Sequence, residues 1–154
     1  MILVQHSRRC AGVFAAVCLA VAVTGCGGPY DAAVSGNVTL DGTSLPRGTV
    51  KFVPEQPAPT GYGLIGSDGS YEIMTGRERG LKSGSYVVTV VANEESTPNQ
   101  NPSLPPIPGK PISPPWYRSD QTSTLRFTVE PGDNDVNLEL TSQPPPGWNP
   151  GRRP

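Results

Sequence analysis

One histidine and three cysteines hold most of the reactive chemistry that this 154-residue chain offers, and all four lie within its first 26 residues: His6, Cys10, Cys18 and Cys26. An imidazole titrates near neutral pH and is the usual general base. A thiolate is a nucleophile and a zinc ligand. Their position decides what survives, because residues 1–25 read as a leader. Arg8 and Arg9 make a positive start, and residues 10–23 are an apolar run. That run is shorter than the roughly 20 residues a membrane-spanning helix needs, and it suits a secretory signal. Ala20-Val21-Ala22 offers an A-x-A cleavage site, whose use would release a soluble protein with Cys26 as a free thiol. Removing the leader leaves no histidine for acid–base work, no Cys/His zinc site and no partner with which Cys26 could form a disulfide. Serines and threonines are plentiful, but there is no G-x-S-x-G elbow and no histidine to activate one. An enzyme is not expected, nor a cofactor or metal.

The remaining polar groups suit turns and surfaces. Asp41, Asp68, Asp133 and Asp135 stand at turns, and no D-x-D-x-D-G calcium loop is present. The 12 basic residues include Arg8 and Arg9, against 13 acidic ones, so the exported chain is mildly acidic. It lacks the basic stripe that nucleic-acid binding calls for. The aromatic residues Trp116, Tyr117 and Trp148 are of the kind that stacks on sugar rings or anchors a protein interface; docking against the domain is the other use open to them.

What positions these residues is a set of strands. From Gly84, Tyr86, Val88, Val90 and Ala92 fall on one face and Val87, Thr89 and Val91 on the other. Both faces are apolar or β-branched, so this strand belongs at the centre of a sheet. Asp68-Gly69 makes a tight turn into an alternating run that holds Tyr71 and Ile73. Both Tyr71 and Tyr86 are expected in the core with their hydroxyls at a wet rim. Further alternating runs occupy 34–40, 49–53, 62–66, 125–129 and 136–140. The glycines of 62–66 suggest an edge, the charged stretch 76–83 a solvated connection, and Pro131-Gly132-Asp133-Asn134 the turn of a terminal hairpin. Seven short strands with no helix predict an all-β protein, a seven-stranded antiparallel β-sandwich over 33–141.

Two stretches stand outside that pattern. Residues 93–122 carry eight prolines between Pro98 and Pro115, which excludes helix and central strand and predicts an extended loop. Ile107, Ile112, Trp116 and Tyr117 suggest that its second half docks on the domain; with Tyr62 they form the candidate binding surface. Residues 142–154 read as a disordered Pro/Gly-rich tail.

Two resemblances add to this reading. Val23-Thr24-Gly25-Cys26 resembles the lipobox of bacterial lipoproteins, which implies that Cys26 is lipidated, becomes the mature N-terminus and ties the chain to a membrane through the linker 26–32. The runs V-S-G-N-V-T-L-D-G-T-S-L-P-R-G-T-V-K-F, S-D-G-S-Y-E-I and S-G-S-Y-V-V-T-V resemble carboxypeptidase regulatory-like domains, which have a transthyretin-like fold. The final run P-P-W-Y-R-S-D-Q-T-S-T-L-R-F-T-V-E-P-G-D-N-D-V-N-L-E-L looks like the end of small lipoproteins found in planctomycete-like bacteria. Those motifs are turns and core positions, and such domains are mostly accessory modules. Hydroxyisourate hydrolases of the same fold use histidines and a C-terminal Tyr-Arg-Gly-Ser. Here Tyr117-Arg118-Ser119-Asp120 is internal and lacks the glycine. The expectation is a non-catalytic, lipid-anchored, extracytoplasmic module of the cell envelope, on the outer-membrane or periplasmic side, which binds an envelope protein or gives structural support. The alternative is a carbohydrate-binding module for envelope polysaccharide.

Overall fold

Strand β1 (Ala32–Leu40) alternates apolar and polar side chains and forms the spine of one of two sheets in the computed structural model, which describes residues 28–149. Residues 1–27, which include the expected leader and Cys26, and the last five residues lie outside the described residues. Ten further strands follow: β2 (Thr43–Ser44), β3 (Gly48–Pro54), β4 (Gly61–Ile65), β5 (Ser70–Glu72), β6 (Met74–Thr75), β7 (Glu78–Arg79), β8 (Gly84–Val91), β9 (Arg126–Val129), β10 (Gly132–Asp135) and β11 (Leu138–Leu140). The helical piece among the described residues is a single 3-10 turn, Pro115–Tyr117, so no helix there is long and apolar enough to cross a membrane.

The protein is all-β with two sheets, as the alternating runs predict. The larger sheet runs β7-β6-β4-β3-β8-β9, every neighbouring pair antiparallel. In the smaller sheet β1 pairs with β5 and β2 antiparallel on one side, and with β10 and β11 parallel on the other. The sandwich is therefore mixed rather than purely antiparallel. The expected terminal hairpin does not form. Strand β9 stays beside β8 in the larger sheet, while β10 and β11 cross to β1 in the smaller one. Asn134 makes that corner: its Oδ1 accepts the Glu130 N–H at 2.9 Å and its Nδ2 donates to the Glu130 carbonyl at 2.7 Å. The expected turn at 131–134 is not one: after a bend at Pro131 the chain is already strand β10, paired with β1.

Among the described residues the strands number eleven rather than seven, because the run 70–75 is split, β10 forms over the expected turn, and the two-residue strands β2 and β7 are added. The run 70–75 changes sheets at Ile73, which separates β5 from β6. The expected run 136–140 pairs only from Leu138: between β10 and β11 the parallel pairing with β1 lapses at Val136 and Asn137 without a change of register. There the Val136 N–H still reaches the Ser35 carbonyl, but the Asn137 side chain, not its backbone, accepts the Asn37 N–H at 2.9 Å. Strand β4 lies between β3 and β6 and is not an edge. Its glycines serve a close approach instead: a β-carbon on Gly61 would stand 2.5 Å from Ile73 Cγ2, and one on Gly63 2.8 Å from the Glu72 carbonyl oxygen. The connection 76–83 is not wholly solvated. It forms β7 and buries Leu81, which exchanges two backbone hydrogen bonds with Ala32.

Between the sheets lies one core. Val34 and Val38 of β1, Val50 and Phe52 of β3, Tyr86, Val88 and Val90 of β8, and Leu138 and Leu140 of β11 all point into it. Phe52 meets the rings of Tyr86 and Tyr71 at centroid distances of 5.8 and 6.5 Å. Each side chain of this size contributes about 2 kcal/mol by leaving water.

Candidate functional site

The five residues of the expected binding surface do not form one surface. Tyr62 is 50% exposed on the outer face of β4, and Ile107 is 51% exposed in the proline-rich segment. Ile112 packs half-buried against the core, while Trp116 and Tyr117 belong to the core itself, Trp116 being only 6% exposed. The reason is the crossover between β8 and β9. After Ala92, the chain extends as a proline-rich arm, closed by bridges between Asn93 and Pro111 and between Thr97 and Ile107. It then returns to the domain, where Ile112 and Ser113 donate to the Ala92 carbonyl and the Ser113 hydroxyl accepts the Ala92 N–H. Pro114 and Pro115 start the 3-10 turn, which places both following rings inward. Trp148, in the strandless stretch after β11, closes over Trp116 with ring centroids 5.1 Å apart, edge to face.

Tyr62 remains, and the sheet builds a site around it. On the outer face of the larger sheet, Lys51 of β3 is the register partner of both Tyr62 on β4 and Thr89 on β8, and Thr49 is the partner of both Leu64 and Val91. Alternation places all six on the same side. Tyr62 and Leu64 stand next to each other with 50% and 79% of their surfaces exposed. Lys51 Nζ lies 6.0 Å from the centre of the Tyr62 ring, within cation–π range. A cleft of about 350 Å³ is lined by Thr49, Lys51, Tyr62, Thr89, Val91, Arg118, Ser119 and Asp120. Tyr62 separates it from a second cleft of about 390 Å³ that contains Gly63, Leu64, Glu72 and Met74.

Arg118 is fixed at the cleft by three acceptors around its Nη1: the Ala92 carbonyl at 3.3 Å, Asn93 Oδ1 at 3.1 Å and Ser113 Oγ at 3.2 Å. The three ion pairs among the described residues are Arg47–Glu95, Arg79–Glu72 and Arg126–Glu55. Lys51, Arg118 and Asp120 take part in none of them. The cleft thus holds two cations and one carboxylate, in a chain whose formal net charge is −1.

Of the four aspartates expected at turns, Asp133 and Asp135 lie in strand β10, and Asp41 and Asp68 are occupied locally. Asp68 accepts from both the N–H and the hydroxyl of Ser70, and these bonds hold its carboxyl below the usual carboxylate range. Asp41 is held low in the same way by the Ser142 side chain and by the Ser142 N–H that it accepts. Among the described residues no three His, Cys, Asp or Glu side chains converge as a metal site.

Of the cleft residues, sequence reasoning placed Tyr62 alone on the candidate binding surface. Lys51 and Thr89 were legible as outward positions of their strands. Arg118, Ser119 and Asp120 entered only as a departure from a hydrolase motif, and their place beside Tyr62 depends on how the crossover lands on the sheet. No protein-family model, curated protein or solved structure matches this chain.

Proposed function

We propose that the chain is a non-catalytic binding module of the bacterial cell envelope, lipid-anchored at Cys26, extracytoplasmic, and contacting an envelope protein through the outer face of the larger sheet. In this reading the seven main runs form a sandwich of the transthyretin-like, carboxypeptidase regulatory-like kind. One observation carries it: Tyr62 and Leu64 lie exposed together in the middle of a sheet face, where an apolar pair is a common mark of an interaction surface. A second reading, a carbohydrate-binding module, is favoured by the same ring standing beside a cleft rich in hydroxyls and charges.

One experiment tests anchor and face together. A photo-crosslinker at position 64 is introduced into the wild type and into Cys26→Ser, in intact cells that are then fractionated. The wild type is expected in the membrane fraction with one dominant crosslinked protein, lost on Tyr62→Ala. Cys26→Ser is expected in the soluble fraction. Unchanged partitioning of Cys26→Ser overturns the anchor, and scattered crosslinks insensitive to Tyr62→Ala overturn the face.

A further inference from the structure

We infer that the cleft beside Tyr62 binds an acidic saccharide, a pyranose that bears a carboxylate. This inference deepens the carbohydrate reading of that face and rests on it.

The argument starts from what the cleft combines. Its volume, about 350 Å³, lies within the range of small-ligand clefts, about 300–1,000 Å³. One wall is an aromatic ring, which suits the C–H face of a sugar. The floor comes from outward residues of β3 and β8, among them Thr49 and the buried Thr89, and Thr49 and Ser119 bring hydroxyls to the lining. Each can donate or accept, which matches hydroxyl groups on a ring. Asp120 is acceptor-only when ionised and suits a sugar O–H donor. Lys51 and Arg118 supply the remaining feature. Neither has a carboxylate partner among the described residues, and cations left unpaired at a cleft favour an anion there. Arg118 is held in place by three acceptors before any ligand arrives, so little side-chain entropy is lost when it binds. A neutral sugar would leave both cations unanswered. A bare anion would leave Tyr62, the hydroxyls and Asp120 unused.

Isothermal titration of the full chain in detergent tests this, with an oligogalacturonate and a neutral oligogalactan of equal length as probes. The oligogalacturonate is expected to bind saturably and more weakly as salt rises. Lys51→Gln is expected to weaken it about tenfold, the loss of one charge-assisted hydrogen bond. Tyr62→Ala is expected to weaken it too, with Tyr62→Phe retaining binding. Lys82→Gln, remote from the cleft, is expected to leave affinity unchanged. Equal affinity for the two probes overturns the acidic ligand while the carbohydrate reading stands. Binding of neither probe overturns both. Equal losses in Lys51→Gln and Lys82→Gln also overturn the cleft, because they mark diffuse charge attraction.

Discussion

Tyr71 and Val136 satisfy each other inside the core: the tyrosine hydroxyl donates to the valine carbonyl at 2.6 Å. The gap in pairing between β10 and β11 leaves that carbonyl free to accept it. Tyr86 does the equivalent at the start of β8, donating to the Lys82 carbonyl four residues earlier at 2.7 Å, the geometry of a tyrosine corner. Alternation placed both rings in the core correctly. It could not foresee that the hydroxyls would bond backbone and not face water, because their acceptors, the Val136 and Lys82 carbonyls, lie in stretches between strands that have no period. Burial, with the Asp135 charge adding to it, raises the Tyr71 phenol far above the ordinary tyrosine value. The unfolded chain loses this proton near pH 10, and the folded chain holds it to higher pH. The stability linked to Tyr71 is therefore complete below about pH 10 and falls as pH rises further. Tyr71→Phe is expected to cost about 1–2 kcal/mol at pH 7 and to soften the alkaline decline. Urea denaturation at pH 7 and pH 11 measures both.

Among the elements, β1 carries the tightest constraint. A β-carbon on Gly36 would overlap the Val136 carbonyl oxygen, at the point where β10 gives way to β11. Gly36→Ala is expected to cost about 3 kcal/mol by forcing that seam apart. Gly28→Ala, where nothing lies within 4 Å of the added carbon, should stay within about 0.5 kcal/mol of the wild type. Thermal melts of the two variants separate these effects. The strands themselves were legible, since hydrophobic alternation reports which residues face inward. Their partners were not, because alternation is the same whichever neighbour a strand pairs with. That is why 125–129 and 136–140 read as a hairpin although they belong to different sheets. The glycines of β4 misled for a related reason: an edge and a close backbone crossing both call for a missing side chain, and the sequence shows only that it is missing.

For the whole molecule, the layout is polar. The chain enters beside the start of β8, where Asp31 accepts hydrogen bonds from the backbone and hydroxyl of Ser83. The proline arm leaves from the other end of that strand, roughly 25 Å away at about 3.3 Å per residue. Leu104 and Ile107 are exposed on the arm. A lipid at Cys26 would therefore leave the arm on the side remote from the membrane. At the arm's end of the sandwich, Trp148 closes over Trp116. Truncation after Ser142 is expected to hydrate the Trp116 indole, shift its fluorescence to the red and cost about 1 kcal/mol. Emission spectra and urea melts of the truncated chain check this. Composition alone marked 142–154 as tail; a single tryptophan at an irregular position carries no pattern that would announce its contact. The parallel seam also has a consequence in time. Ala32 pairs with Gly132, and Leu40 with Leu140, so the first strand waits a hundred residues for its second neighbour. Contacts this distant form slowly, and a nascent chain that still lacks its final strand cannot close the smaller sheet. Until residues 138–140 have been made, one side of β1 stays without its partner there, and that open edge is where a wrong strand could pair.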